Sequence, residues 1–317
     1  MNDRDERHEP RRAGQPIGRR SFLGRMIGAS SLALLGGASI LSKDVFGSVP
    51  TPLSVATGTN YKNIVVDAID GLGGIGKFIT GGERVVVKPN IGWDSPPNYG
   101  GNTHPVVVKT IVEMCLAAGA DRVLVFDNPC ADARRTYANS GIKAAVEGLR
   151  NPKAKVEYID DNKWVTKKLP GAKKLTEWKF YREALEADRL INVPVAKDHG
   201  STTLTLSMKN LMGVIGGSRG QVHWGLDQKI ADISTLIKPA LIVLDATRIM
   251  LSGGPSGGDL GSVRVMNKVI AGTDPVAVDS YGATLFGMKG TDIGHVVKAY
   301  EMGLGQIDLA KVKVIGG

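Results

Sequence analysis

Cysteine is nearly absent from this chain: Cys115 and Cys130 are the only two among 317 residues. A ferredoxin-type iron–sulfur cluster takes about four thiolates, so none is expected within this chain. A disulfide between the two is also disfavoured. Cys115 falls near the end of a predicted helix, and Cys130 falls past the far end of the strand that follows. Six residues of strand span roughly 20 Å, whereas a bridge needs Cα atoms within about 7 Å. Two free thiols with structural roles are the expectation. Aromatic residues are scarce at 5%, and no stretch interleaves them with Lys or Arg. The stacking-plus-charge surface of a nucleic-acid binder is therefore missing, and no nucleic-acid partner is expected. No Walker loop, nucleophile elbow, H-E-x-x-H helix or short H-x-H pair occurs, which removes the local signatures of nucleotide hydrolysis, serine hydrolysis and zinc proteolysis. "GLGGIGK" (71–77) fits G-x-G-x-x-G, but a turn at Gly81–Gly82 leaves no room for a helix after it. The next strand ends in Lys88 rather than an acid, so a dinucleotide site is rejected.

Glycine, by contrast, is abundant at 41 residues, and the formal net charge is +9. Residues 1–43 hold eight Lys/Arg and four Asp/Glu and so supply +4 of it. The remaining basic residues are scattered, a pattern that suits a basic cleft for a small anion better than a polyanion surface. The N-terminal part reads as a targeting segment. "GRRSFLG" (18–24) pairs Arg19 with Arg20 ahead of Phe22–Leu23, and "MIGASSLALLGGASIL" (26–41) follows as a Gly/Ser-diluted apolar stretch. At that length it falls short of the roughly 20 residues needed to span a bilayer. A long polar start, an arginine pair and a mild apolar stretch resemble a twin-arginine signal, although Gly24 stands where a lysine is usual. The expectations are a signal region at 1–47, contact with the twin-arginine translocase, and a periplasmic or otherwise exported location.

From about residue 60 onward, short β-branched runs alternate with helical patterns. "RVVVK" (84–88), "RVLVFD" (122–127), "KVEYID" (155–160), 191–196, 240–245, "NKVIAG" (267–272) and "KVKVIG" (311–316) read as strands. The segments 105–120, 132–149, 274–287 and 292–303 read as helices, and 182–197 and 225–245 each as a helix running into a strand, with Asp274 and Pro275 as a cap and first-turn pair. Continuous apolar strands imply a sheet covered on both faces. The expected fold is α/β, a mostly parallel sheet with helices on both faces in one or two lobes. It would occupy 48–317 as a single domain, with a lysine-rich excursion at about 161–181.

The strand ends carry the chemistry. Lys88, Pro89 and Asn90 follow the first, and Asp127 and Asn128 end the second. Lys197, Asp198 and His199 end a third, and Asp245 a fourth. The carboxyl ends of parallel strands share one edge, where ligands of open α/β sheets bind. A helix is expected from about residue 200, with Thr202, Thr205 and Lys209 on one face and its amino end aimed at the same cleft. His223 lies in a glycine-rich loop, "GVIGGSRGQVHWG" (213–225), able to close over a ligand. With His199 and a carboxylate it would also suit a two-histidine metal site, though no spacing specifies one. His104 is placed either as a helix cap or facing the cleft.

These residues resemble a known family, domain of unknown function 362, over roughly 55–317. The likeness rests on "VVVKPNIG" (85–92), "INVPVAKDH" (191–199), "LSMKNLMGVIGG" (206–217) and "VIAGTDPVAVDSYGATLFG" (269–287). Some relatives carry an appended ferredoxin-like segment with two clusters, which the cysteine count of this chain does not provide. A looser analogy, through cleft lysines and histidine, runs to nickel-pincer lactate racemases. The resemblance assigns no reaction. The residues themselves suggest a cleft for a small anionic substrate or cofactor of unspecified identity. Lys197, His199 and His223 would be its catalytic candidates. Lys88, Asn90, Asp127, Asn128, Lys209, Asn210 and Asp245 would be its binding candidates. Such a protein would be an enzyme or a redox accessory with a partner protein; the alternative is a non-catalytic periplasmic binding or assembly factor.

Overall fold

The computed structural model describes residues 51–317, all within one unit, Ser48–Gly317. The expected signal region lies outside the described residues. The strands are β1 (Pro52–Thr57), β2 (Arg84–Pro89), β3 (Arg122–Val125), β4 (Ala154–Val156), β5 (Trp164–Lys168), β6 (Glu177–Tyr181), β7 (Arg189–Val193), β8 (Val195–His199), β9 (Thr203–Thr205), β10 (Leu241–Met250), β11 (Val263–Gly272) and β12 (Lys313–Gly316). The helices are α1 (Tyr61–Asp70), α2 (Pro105–Ala117), α3 (Ala133–Asn139), α4 (Ile142–Glu147), α5 (Arg182–Glu186), α6 (Ser207–Asn210), α7 (Leu226–Leu236), α8 (Pro275–Thr284) and α9 (Gly294–Glu301).

Successive side chains of a strand point to opposite faces, and both faces of this sheet are apolar. Val85 and Val87 of β2 join one core with Ile64, Ile69, Ile111 and Val112 of α1 and α2. Val86 joins another with Ile230 of α7, Val278 of α8 and Val296 of α9. The same alternation holds in β10, where Leu241 and Val243 enter the first core and Ile242 and Leu244 the second. The sheet order is β12-β1-β11-β10-β7-β2-β3-β4, with β8 beside β10 and β9 beside β8. β11 runs antiparallel to β1 and β10, and β9 antiparallel to β8; the other pairings are parallel. The protein is α/β, with a mostly parallel sheet and helices on both faces.

Local chemistry sets the ends. Asn60 caps α1 by accepting from the Lys62 and Asn63 amides. Asp274 caps α8 through Val276 and Ala277, with Pro275 in the first turn. His104 caps α2 by accepting the Val106 amide at Nδ1, so of its two expected places it takes the helix end. Residues 132–149, expected as one helix, split into α3 and α4 at Gly141, whose φ of 72° only glycine adopts cheaply. Residues 161–181 leave the main sheet and form a separate antiparallel pair, β5–β6.

The region after His199 departs most from expectation. No helix begins there; the chain turns at Gly200 and returns as β9, pairing Lys197 with Thr205 and His199 with Thr203. Three β-branched threonines in four residues favour a strand over a helix. Helix appears only at α6, a single turn that starts seven residues beyond Gly200.

Candidate functional site

Strand periodicity splits the motif "AKDH". Lys197 and His199 share one face of β8, while Asp198 between them points away and accepts the Gly254 amide at 3.0 Å. A cavity of about 480 Å³ opens on the Lys197–His199 side, at the carboxyl edge of the sheet. Lys88 and Asn90 enter it from the end of β2, Asp127, Asn128 and Cys130 from the β3–α3 loop, and Lys209 and Asn210 from α6. Arg219 and His223 come from the glycine-rich loop, Trp93 from the loop after β2, and Pro255 from the β10–β11 loop. Nine of the ten expected site residues are thus brought together.

Asp245 is the exception, and its expected place is corrected. β10 does not end there but runs on to Met250 with a bulge between Ala246 and Arg248. Asp245 is therefore mid-strand and aligned with Leu241 and Val243, toward the α1–α2 layer. Its carboxylate is filled by the His104 amide at 2.7 Å and by the amide and hydroxyl of Thr247. It pins the start of α2 to the sheet.

Inside the cavity the charges do not balance. Lys88 is fully buried and pairs with Asp127 at 2.7 Å. Its ammonium also donates to the Pro89 carbonyl and to Asn210 Oδ1. Asp127 is further tied to the Ile91 and Asn128 amides. The pair closes tightly against Gly213, where an added Cβ would collide with Asp127 Oδ1 and Lys88 Nζ. Burial pulls Lys88 down from the usual lysine range, against the opposing pull of Asp127.

Lys197 is 1% exposed and, among the described residues, has no carboxylate partner. Its ammonium donates to the carbonyls of Gly101 and Pro255 and, at 3.4 Å, to Asn90 Oδ1. Burial, with the charge of Lys209 adding to it, pushes it down to about 7. Lys209 makes no side-chain hydrogen bond or ion pair among the described residues, and burial brings it to about 8. His199 accepts the Ser201 amide at Nδ1, which places the proton of the neutral ring on Nε2. Burial and the Lys209 and Lys197 charges hold it down at about 3, so it is a neutral donor at ordinary pH.

Several lining residues escaped the sequence reading. Arg219 is anchored by the Asn128 and Pro129 carbonyls at 2.8 and 2.6 Å, and its place in the same glycine-rich loop as His223 was the available signal. Cys130 is an exposed free thiol on the cavity wall, unlike the buried Cys115; the structural role expected of it is corrected. His199 and His223 share the cavity, yet among the described residues no three His, Cys, Asp or Glu side chains are grouped to hold a metal ion.

Fold and site together define an α/β protein with a cation-lined cavity at the carboxyl edge of its sheet. The family model described as "Domain of unknown function (DUF362)" matches residues 85–284, and the chain belongs to that family. A relative, thylakoid-associated protein sll1697 of Synechocystis sp., is 26% identical over 221 residues, which is 67% of this chain and 65% of the relative. The chain thus spans just under two thirds of that protein. Among solved structures, lactate racemase apoprotein from Thermoanaerobacterium thermosaccharolyticum aligns with a TM-score of 0.46 and 12% identity, over 75% of this chain and 57% of the other. A Thermotoga maritima protein aligns with a TM-score of 0.41 and 10% identity, over 71% and 59%. Among the described residues no helix is long and apolar enough to cross a membrane.

Proposed function

We propose that the cavity binds a small anionic substrate or cofactor and that Lys197 exchanges a proton with the bound molecule. The observation that carries this reading is the charge imbalance. Lys197, Lys209 and Arg219 face one cavity, and the only lining carboxylate among the described residues, Asp127, is already held by Lys88. Buried cations without counter-ions are costly, and an incoming anion relieves that cost. A lysine near 7 divides between its two forms at neutral pH, which suits a general acid–base group. Neutral His199 can donate from Nε2 to the same ligand, and His223 on its glycine-rich loop borders the entrance.

The test is native mass spectrometry of protein purified from its own host, wild type beside Lys197→Met. Methionine keeps the apolar stem and removes the charge. A small molecule is expected on the wild type and not on the folded variant; equal occupancy defeats the role given to Lys197.

A second reading, a non-catalytic binding or assembly factor, draws on Trp224. That residue is 84% exposed beside His223, a place for a partner protein to contact the occupied cavity. Trp224→Ala that abolishes the physiological role while leaving ligand occupancy intact would favour it. The chain is further proposed to be exported, on the strength of Arg19–Arg20. Changing both to Lys and fractionating the cells should leave the protein in the cytoplasm; an unchanged exported yield would refute this.

A further inference from the structure

The cations of the cavity are anchored at different places. Lys197 is fixed by the loops carrying Gly101 and Pro255. Arg219 is fixed by the loop carrying Asn128 and Pro129. In both cases the anchors are neutral carbonyls, so position is set without neutralising charge. Lys209 lines the same cavity and makes no side-chain hydrogen bond or ion pair among the described residues. The guanidinium has five N–H groups and spends two on its anchors, which leaves three for a ligand. A small monoanion held at one of these two anchor points leaves the cation at the other uncompensated. The cavity, at about 480 Å³, is in the range of sites that hold molecules of many heavy atoms, roughly 300–1,000 Å³.

We infer that the ligand is a dianion with its two charged groups separated along the molecule, one against Lys197 and Lys209 and the other against Arg219. Arg219 is then the residue that selects it over a monoanion, because a planar fork matches a carboxylate or phosphate in two parallel hydrogen bonds. This inference rests on the reading of the cavity as an anion site.

The experiment is isothermal titration of the whole protein, at constant ionic strength and below pH 7, with acetate, inorganic phosphate, malonate, succinate and glutarate. At least one dicarboxylate should bind tenfold or more tighter than acetate and than phosphate, whose charge sits on one group. Arg219→Gln should weaken that dicarboxylate about tenfold, the scale of a lost charged hydrogen bond, and acetate by a clearly smaller factor. Arg219→Lys, which keeps the charge and loses the fork, should fall between. Arg219 stands on a partly exposed loop, so these variants are expected to fold, as circular dichroism would check. Equal affinity for acetate and every dicarboxylate, or an equal loss for both in Arg219→Gln, overturns the dianion inference and leaves the anion site standing. If no probe binds, or if Lys197→Met binds the dicarboxylate as well as wild type does, the anion site itself fails and the inference falls with it.

Discussion

Lys197 shows what one residue contributes here. Its folded value of about 7 lies well below the unfolded value of 10.5, so between those limits the unfolded chain binds more protons than the folded one. Stability of the ligand-free protein should therefore rise as pH rises from about 7 toward 10, with Lys209 adding the same sign from about 8. Anion affinity should run the other way, full below about 7 and lost as both lysines discharge. Thermal melts across this range, with and without succinate, should show the two opposite slopes; a stability that falls with pH throughout would contradict the lysine assignment. Gly213 makes a second residue-level case. Alanine there would be driven into the Lys88–Asp127 pair, and disrupting a buried pair costs on the order of 3 kcal/mol. Gly213→Ala should lower the midpoint of denaturant unfolding by a matching amount; a neutral substitution would mean the pair is not as closely packed as described. Residue identity was the part of the site most readable in the sequence. Lys88, Asp127 and Lys197 end apolar strands, and the parallel sheet that those strands imply puts their ends on one edge. Arg219 was harder to find, because a loop residue reaches its place through backbone turns that no periodicity encodes.

At the level of elements, α6 is the piece that turns a sheet edge into a site. This single turn presents Lys209 and Asn210, and Asp279 of α8, fully buried, accepts its first amides, Ser207 at 2.7 Å and Met208 at 3.1 Å. His295 of α9 lies behind, with Nε2 at 3.7 Å from Asp279. Asp279 is therefore expected to position Lys209 and Asn210 without touching ligand. Asp279→Ala should weaken succinate binding by more than its global destabilisation accounts for, and Asp279→Asn, which keeps one acceptor oxygen, should recover part of the loss. If affinity per folded molecule is unchanged in both, the contact is merely structural. The elements were less legible than the residues. The spacing of Thr202, Thr205 and Lys209 fits a helix, yet in a strand Thr203 and Thr205 also alternate correctly, and the hairpin with β8 decides between them. Asp245 was misplaced for a similar reason: the sequence shows a polar residue after an apolar run, but not the bulge and the long antiparallel partner β11 that carry the strand past it.

Across the whole molecule, the net charge of +9 has a local counterpart in one cavity that holds more cations than anions. Two apolar layers cover the sheet on both faces and hold the ends of β2, β3 and β8 at one edge, where Lys197 is buried with no carboxylate partner among the described residues. The most direct measurement of this claim is a heteronuclear NMR titration of the lysine side-chain nitrogens, with Lys197→Met used to assign the Lys197 signal, in the free protein and with succinate present. Lys197 should titrate near 7 when free, and the added anion should raise its pKa, because the ligand supplies the missing counter-charge. A Lys197 that titrates near 10.5 in the free protein, or one whose midpoint does not move on adding the anion, would contradict it.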